Sequence, residues 1–117
     1  MTYPVGDALV PDSFDEHTII LLIRPPEARL FSEDELDRLQ TEHLTYLREL
    51  QRRGLIVANG PLDAQTDERL RGVSIYSVPL AEALDLANAD PMVRAGRLAI
   101  DGARWWTPSG AVSFGRG

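Results

Sequence analysis

The chain has no cysteine and no lysine. The first absence removes disulfides, thiolate metal sites and cysteine nucleophiles together, and the second removes Schiff-base and lysine-nucleophile chemistry. Long apolar runs are missing as well: the longest, Ile19 to Ile23, is far short of the ~20 residues of a spanning helix, so no membrane partner is expected. Nor is there an excess of positive charge. The formal net charge is −6 and the 12 basic residues, all arginine, are scattered along the chain, which disfavours a phosphate backbone as partner, so no nucleic acid is expected. With two histidines and no cysteine a zinc site lacks its ordinary ligands. A Walker loop, a dinucleotide glycine fingerprint and a nucleophile elbow are also lacking, so no metal and no cofactor is implied. The opening residues carry neither the basic region nor the apolar block of a secretory signal, and cytoplasm is the expected location.

What is present is the material of one compact domain. A length of 117 residues with 44% hydrophobic and 26% charged residues is ordinary for a globular protein and too short for two cores. Residues 1–16 carry Pro4, Gly6 and Pro11 without a sustained period and read as an irregular arm. The domain proper is expected over 17–107, followed by a flexible glycine-rich tail over 108–117.

Thr18 to Ile23, ended by Arg24 and the Pro25-Pro26 break, reads as a buried central strand. Ser32 and Glu35 then form a capping box, with Phe31 placed to staple onto Leu36. From Glu33 an apolar stripe runs through Leu36, Leu39, His43, Tyr46, Leu47 and Leu50 until Arg52, Arg53 and Gly54 stop the helix. Leu55 to Ala58 is a short second strand closed by Asn59, Gly60 and Pro61, and Val73 to Val78 alternates as an antiparallel third. Leu80, Ala83, Leu84 and Ala87 make a second helix to about Asn88; Asp90-Pro91 opens a further helical turn ending near Gly96, and Leu98 to Trp106 is a fourth strand. Strand, helix, strand, strand, helix, strand is the α+β, ferredoxin-like βαββαβ pattern, with both helices on one face of a four-stranded antiparallel sheet. The other face lacks a cover, and a second copy of the chain is the expected one, giving a homodimer, with the arm or tail able to cover part of it.

His43 stands seven residues after Leu36 and seven before Leu50, so an imidazole occupies a position where leucine belongs. Its bland explanation is a core histidine with a satisfied hydrogen bond, its sharp one a proton-transfer residue in a pocket. Asp90 has a structural role available as N-cap before Pro91. A carboxylate there can also hold one imidazole nitrogen protonated and raise the basicity of the other, so a meeting of His43 and Asp90 gives both placements one explanation.

Together, His43-Leu44-Thr45-Tyr46-Leu47, Gly54-Leu55 running to Gly60-Pro61, Gly72 before a strand, and Ala89-Asp90-Pro91 with Ala95-Gly96 behind it resemble the YCII-related family over about residues 18–107. The resemblance implies two ferredoxin-like halves paired as a dimeric α+β barrel, similar to muconolactone isomerase. It also implies a catalytic pair formed by a helix histidine and the aspartate of an Asp-Pro step, here His43 and Asp90. One departure is Gln40, which stands where some relatives place a basic residue one turn before the histidine.

Gly60-Pro61 reads as a rigid turn or as backbone approaching a ligand. Tyr76 and Trp106 are the other candidate substrate contacts; Trp105 and Trp106, adjacent on a strand, face opposite ways, so one can line a pocket while the other packs. His17 reads as solvated. The expected function is a small cofactor-independent enzyme of lyase or isomerase type, with His43 moving a proton on a small organic substrate and Asp90 orienting its ring. The alternative is a non-catalytic module of the same fold that binds a small ligand or a partner; a filled interior without a cavity would point instead to an oligomerisation domain.

Overall fold

Six consecutive β-branched or leucine side chains from Thr18 to Ile23 favour a strand with both faces covered, and they form the middle of the sheet. The computed structural model describes residues 10–115. Its elements are β1 (Phe14–Ile23), α1 (Glu33–Arg52), β2 (Ile56–Pro61), β3 (Leu70–Tyr76), α2 (Leu80–Asn88), α3 (Pro91–Arg94) and β4 (Ala99–Pro108). The sheet is four-stranded in the order β2-β3-β1-β4, with every pairing antiparallel. This is the expected ferredoxin-like α+β arrangement, with α3 as one extra turn between α2 and β4.

Local chemistry sets both ends of α1. The Ser32 side chain accepts from the Glu35 amide at 3.1 Å and the Glu35 carboxylate accepts from the Ser32 amide at 3.1 Å, and these bonds hold the Glu35 carboxyl below its ordinary value. At the other end Gly54, with φ 75°, donates to the Gln51 carbonyl while Leu55 donates to that of Leu50. This pair of bonds closes the helix and requires the left-handed backbone that glycine adopts without strain. The buried residues of α1 are Leu39, His43, Leu47 and Leu50. Leu47 and Leu50 join Ile20, Ile56, Tyr76, Ala83 and Ala87 in the main core, whereas Leu39 packs with Met92 and Leu98 in a second cluster. His43 thus lies at the junction of two apolar clusters.

Strand ends depart from the sequence-based expectation. β1 begins at Phe14, inside the segment expected to be an irregular arm, because β4 extends beside it to Pro108 and supplies partners for its polar end. Arg104 pairs with Glu16 at 3.7 Å, Thr107 Oγ1 lies 3.0 Å from His17 Nε2, and the Phe14 and Trp106 rings are 5.9 Å apart. His17 is accordingly half-buried and bonded rather than solvated, with Trp105 and Phe114 against its ring. The expectation of an irregular arm at residues 1–9, and that for residues 116–117 of the tail, lies outside the described residues. Gly60 and Pro61 belong to β2, paired with Val73 and Gly72, and do not form a separate turn. A proline is tolerated there because β2 is the edge of the sheet.

α1 packs over β2 and α2 over β1 and β4. The opposite face carries Ile19, Leu21 and Ile23, which alternate with core residues Ile20 and Leu22, beside Val73 of β3 and Trp105 of β4. Trp105 is 40% exposed, and among the described residues Phe114 lies against the end of this face at His17. Among the described residues no helix is long and apolar enough to cross a membrane.

Candidate functional site

The side chain of His43 leaves α1 toward the turn that opens α3, where Asp90 is the N-cap. His43 Nδ1 lies 2.6 Å from Asp90 Oδ2, and Asp90 Oδ1 accepts from the Met92 amide at 2.9 Å. The aspartate is 1% exposed and the histidine 8%. Both carboxylate oxygens therefore have a donor, which is what a buried carboxylate requires. The only donor the ring can offer at that position is Nδ1–H, so the contact selects the tautomer that leaves the Nε2 lone pair free to accept a proton.

A cavity of about 300 Å³ opens beside this pair, between α1 and the sheet. His43, Gln40, Leu44 and Leu47 of α1 line it from above. Asn59, Gly60 and Pro61 of β2 and Gly72 and Ser74 of β3 form its floor; Leu22, Met92 and Leu98 make an apolar wall, and Arg24 and Arg71 stand in its lining. Gly72 allows the close approach of strands at this floor, since a Cβ there would meet the Gly60 carbonyl oxygen at 3.2 Å and Leu22 Cδ1 at 3.3 Å. Asn59 accepts a hydrogen bond from the Gln51 side chain, which fixes its amide.

Of the residues singled out in the sequence, His43, Gly60 and Pro61 meet in one cavity with Asp90 directly behind the imidazole. Tyr76 and Trp106 do not reach it. Tyr76 is 4% exposed within the main core, where burial, and then Tyr46 and Asp90, raise its phenol above the ordinary value. Trp106 is on the far edge strand, 43% exposed, opposite Glu16 and against Phe14. The strand alternation used to nominate Trp106 holds, but β4 lies two strands away from the cavity floor.

Arg24, Arg71, Asn59 and Ser74 are cavity residues that sequence reasoning missed. Arg24 was visible only as the polar residue ending an apolar run. Burial lowers the pKa of its guanidinium from the ordinary value, and Arg97 and Arg71 act in the same direction. Among the described residues no group of three or more carboxylates and histidines is placed to hold a metal ion.

The model of the YCII-related domain family matches residues 18–102. The chain belongs to this family. Its YCII-related domain is similar in fold to 5-chloro-2-hydroxyhydroquinone dehydrochlorinase (TftG) from Burkholderia phenoliruptrix, whose structure was solved in complex with 2,5-dihydroxybenzoquinone. The two share 23% sequence identity with a TM-score of 0.54, over 76% of this chain and 92% of that one. No curated protein matches the sequence.

Proposed function

We propose that this YCII-related domain is a small cofactor-independent enzyme of lyase or isomerase type in which His43 transfers a proton on a small organic substrate and Asp90 holds its ring. The observation that carries the proposal is the 2.6 Å contact between His43 Nδ1 and Asp90 Oδ2, made at the wall of a cavity of about 300 Å³. Asp90 fixes the tautomer and stabilises the imidazolium that forms when Nε2 takes a proton. An imidazole with a free ring nitrogen can take a proton from carbon next to a carbonyl and return it, and such a base contributes roughly 10²- to 10⁴-fold in rate. Return of the proton at another carbon is isomerisation; departure of a leaving group from the adjacent carbon is elimination. The similarity to a dehydrochlorinase favours elimination from a ring-sized, oxygen-bearing substrate.

The proposal includes a homodimer. Ile19, Leu21, Ile23, Val73 and Trp105 form an apolar sheet face that no helix among the described residues covers, and pairing two such faces gives the α+β barrel.

The test is proton exchange. A panel of small cyclic carbonyl compounds and chlorinated hydroxyhydroquinones is incubated with the protein in D₂O and followed by NMR, with chloride release read in parallel. Deuterium incorporation or chloride release by the wild type, reduced at least a hundredfold in His43→Gln, is the expected result. Ligands that bind in the cavity without any exchange or turnover would reassign the domain as a binding module.

A further inference from the structure

The cavity contains a feature that proton transfer by His43 does not use. Arg24 Nε is buried and has no hydrogen-bond partner among the described residues, the one side-chain polar atom in that condition. Buried N–H donors are almost always paired, and a charged donor left without an acceptor is among the costliest arrangements in a folded protein. Arg24 follows β1, with its amide held by the Arg69 carbonyl at 2.8 Å, and alternation along β1 puts its side chain on the face of Leu22 and Ile20, the face that α1 covers. Arg24 is half-buried, with its Nε turned inward at the cavity lining.

Arg71 is brought to the same place by a break in register. β1 and β3 pair Leu22 with Gly72 but Ile23 with Leu70, so Arg71 is the extra residue of a bulge, a device that re-aims a side chain at a sheet edge or site. Arg97, between α3 and β4, is close enough to act electrostatically on Arg24. Among the described residues none of these three arginines has a carboxylate within ion-pair distance, although Arg29, Arg38, Arg52, Arg69 and Arg104 each do. The cavity lining holds these two cations and no carboxylate, and what distinguishes it is the buried, unpaired Nε–H of Arg24; Arg71 is exposed at the rim and donates to the Glu68 carbonyl at 3.3 Å. Such a cluster concentrates anions, and a guanidinium presents paired N–H groups that match a carboxylate.

We propose that the substrate of this site is a small organic carboxylate, its anionic group bound by Arg24 Nε–H with Arg71 beside it and its reacting carbon turned toward His43. The proposal rests on the proton-transfer reading for its orientation, but the anion site itself is defined by the arginines. Leu22, Leu44, Met92 and Leu98 in the same lining take the apolar body of the molecule.

The experiment measures binding without requiring turnover. Benzoate, salicylate and 2,5-dihydroxybenzoate are titrated against their neutral amides into the full chain, observing the Arg Nε–H resonances by ¹H–¹⁵N NMR. The expected result is that at least one carboxylate binds ten times or more tightly than its amide, shifts the Arg24 Nε–H signal, and loses that preference in Arg24→Gln. Arg24→Lys, which keeps the charge but has no Nε–H, loses most of it too, and Arg71→Gln weakens it more moderately. Equal binding of acids and amides, no binding by any of the three acids, an unchanged preference in Arg24→Gln, or displacement of the acid by equimolar inorganic phosphate would overturn the proposal. Carboxylate binding with an intact preference in His43→Gln but no turnover of any compound leaves the anion site standing and the proton-transfer reading not. Turnover of neutral substrates at undiminished rate in Arg24→Gln does the reverse.

Discussion

Asp90 holds His43 and its own helix at once, with one carboxylate oxygen 2.6 Å from the imidazole and the other 2.9 Å from the Met92 amide. The two tasks separate by mutation. Asparagine is as good an N-cap as aspartate, but its amide donates to Nδ1 and forces the ring into the other tautomer, with Nε2 protonated and useless as a base.

Asp90→Asn should therefore fold with a cooperative transition close to wild type while activity on any substrate found falls by roughly 10²- to 10⁴-fold. Asp90→Ala loses the cap as well and leaves a buried imidazole without its partner, which should cost about 2–4 kcal/mol. Urea denaturation of the two variants beside the activity assay separates these effects. Equal instability of both would mean that the charge, not the cap, holds this corner.

Alkaline titration should destabilise the protein through its buried phenols. Burial is the first cause that raises both Tyr76 and Tyr46 above their ordinary value of 10.0, with nearby Asp90 adding to it, and the Tyr46 hydroxyl also donates to the Leu86 carbonyl at 2.7 Å. The folded chain keeps these protons at a pH where the unfolded chain releases them, so stability is complete below pH ~10 and falls as pH rises toward the folded values. Urea midpoints measured from pH 8 to 11 should decline more steeply for wild type than for Tyr76→Phe. A parallel decline in both would assign the loss to other groups.

Gly102 is where α2 rests on the sheet. A Cβ there would come within 3.0 Å of Leu80 Cδ1 and of Leu84 Cδ2 and 3.1 Å of Ile20 Cδ1. All three atoms are ends of side chains that can turn, so Gly102→Ala should be mild, whereas Gly102→Val pushes α2 off β4 and should cost about 1–3 kcal/mol. Thermal melting of the pair checks the ordering.

Trp105 tests the proposed dimer. It is 40% exposed on the sheet face that α1 and α2 leave open. Replacing it by glutamate places a charge where two apolar faces would meet, so light scattering after size exclusion should change from two chains to one at micromolar concentration. An unchanged mass, whether of one chain or two, would remove this face from the interface.

What could be read in advance follows the range of the interactions involved. The capping box, the Gly54 stop, the apolar stripe of α1 and the Asp90-Pro91 start of α3 depend on residues within one or two turns of each other, and all four occur as expected. The extension of β1 back to Phe14 depends on β4, some 90 residues away, and no local period announces it. The meeting of His43 with Asp90 spans 47 residues and was legible because each was costly alone; Tyr76 and Trp106 fall outside the cavity, and an aromatic on a strand looks the same in sequence whether it lies at the cavity, at the core end of a bordering strand as Tyr76 does, or on a strand that does not reach it as Trp106 does. The arginines looked scattered in sequence, yet Arg24 and Arg71 converge because β1 and β3 are neighbours in the sheet.

By itself the amino-acid sequence determined where helices start and stop, which faces are apolar, and that one histidine and one aspartate stood in need of a partner, since hydrogen bonds and periodicity along the chain act locally. Only the tertiary structure decided which strand ends pair, that the cavity lies between α1 and the β2–β3 floor, and that the Nε–H of Arg24 is buried there without a partner among the described residues. Burial and charge proximity are properties of packed surfaces, and those surfaces do not exist until distant segments come together.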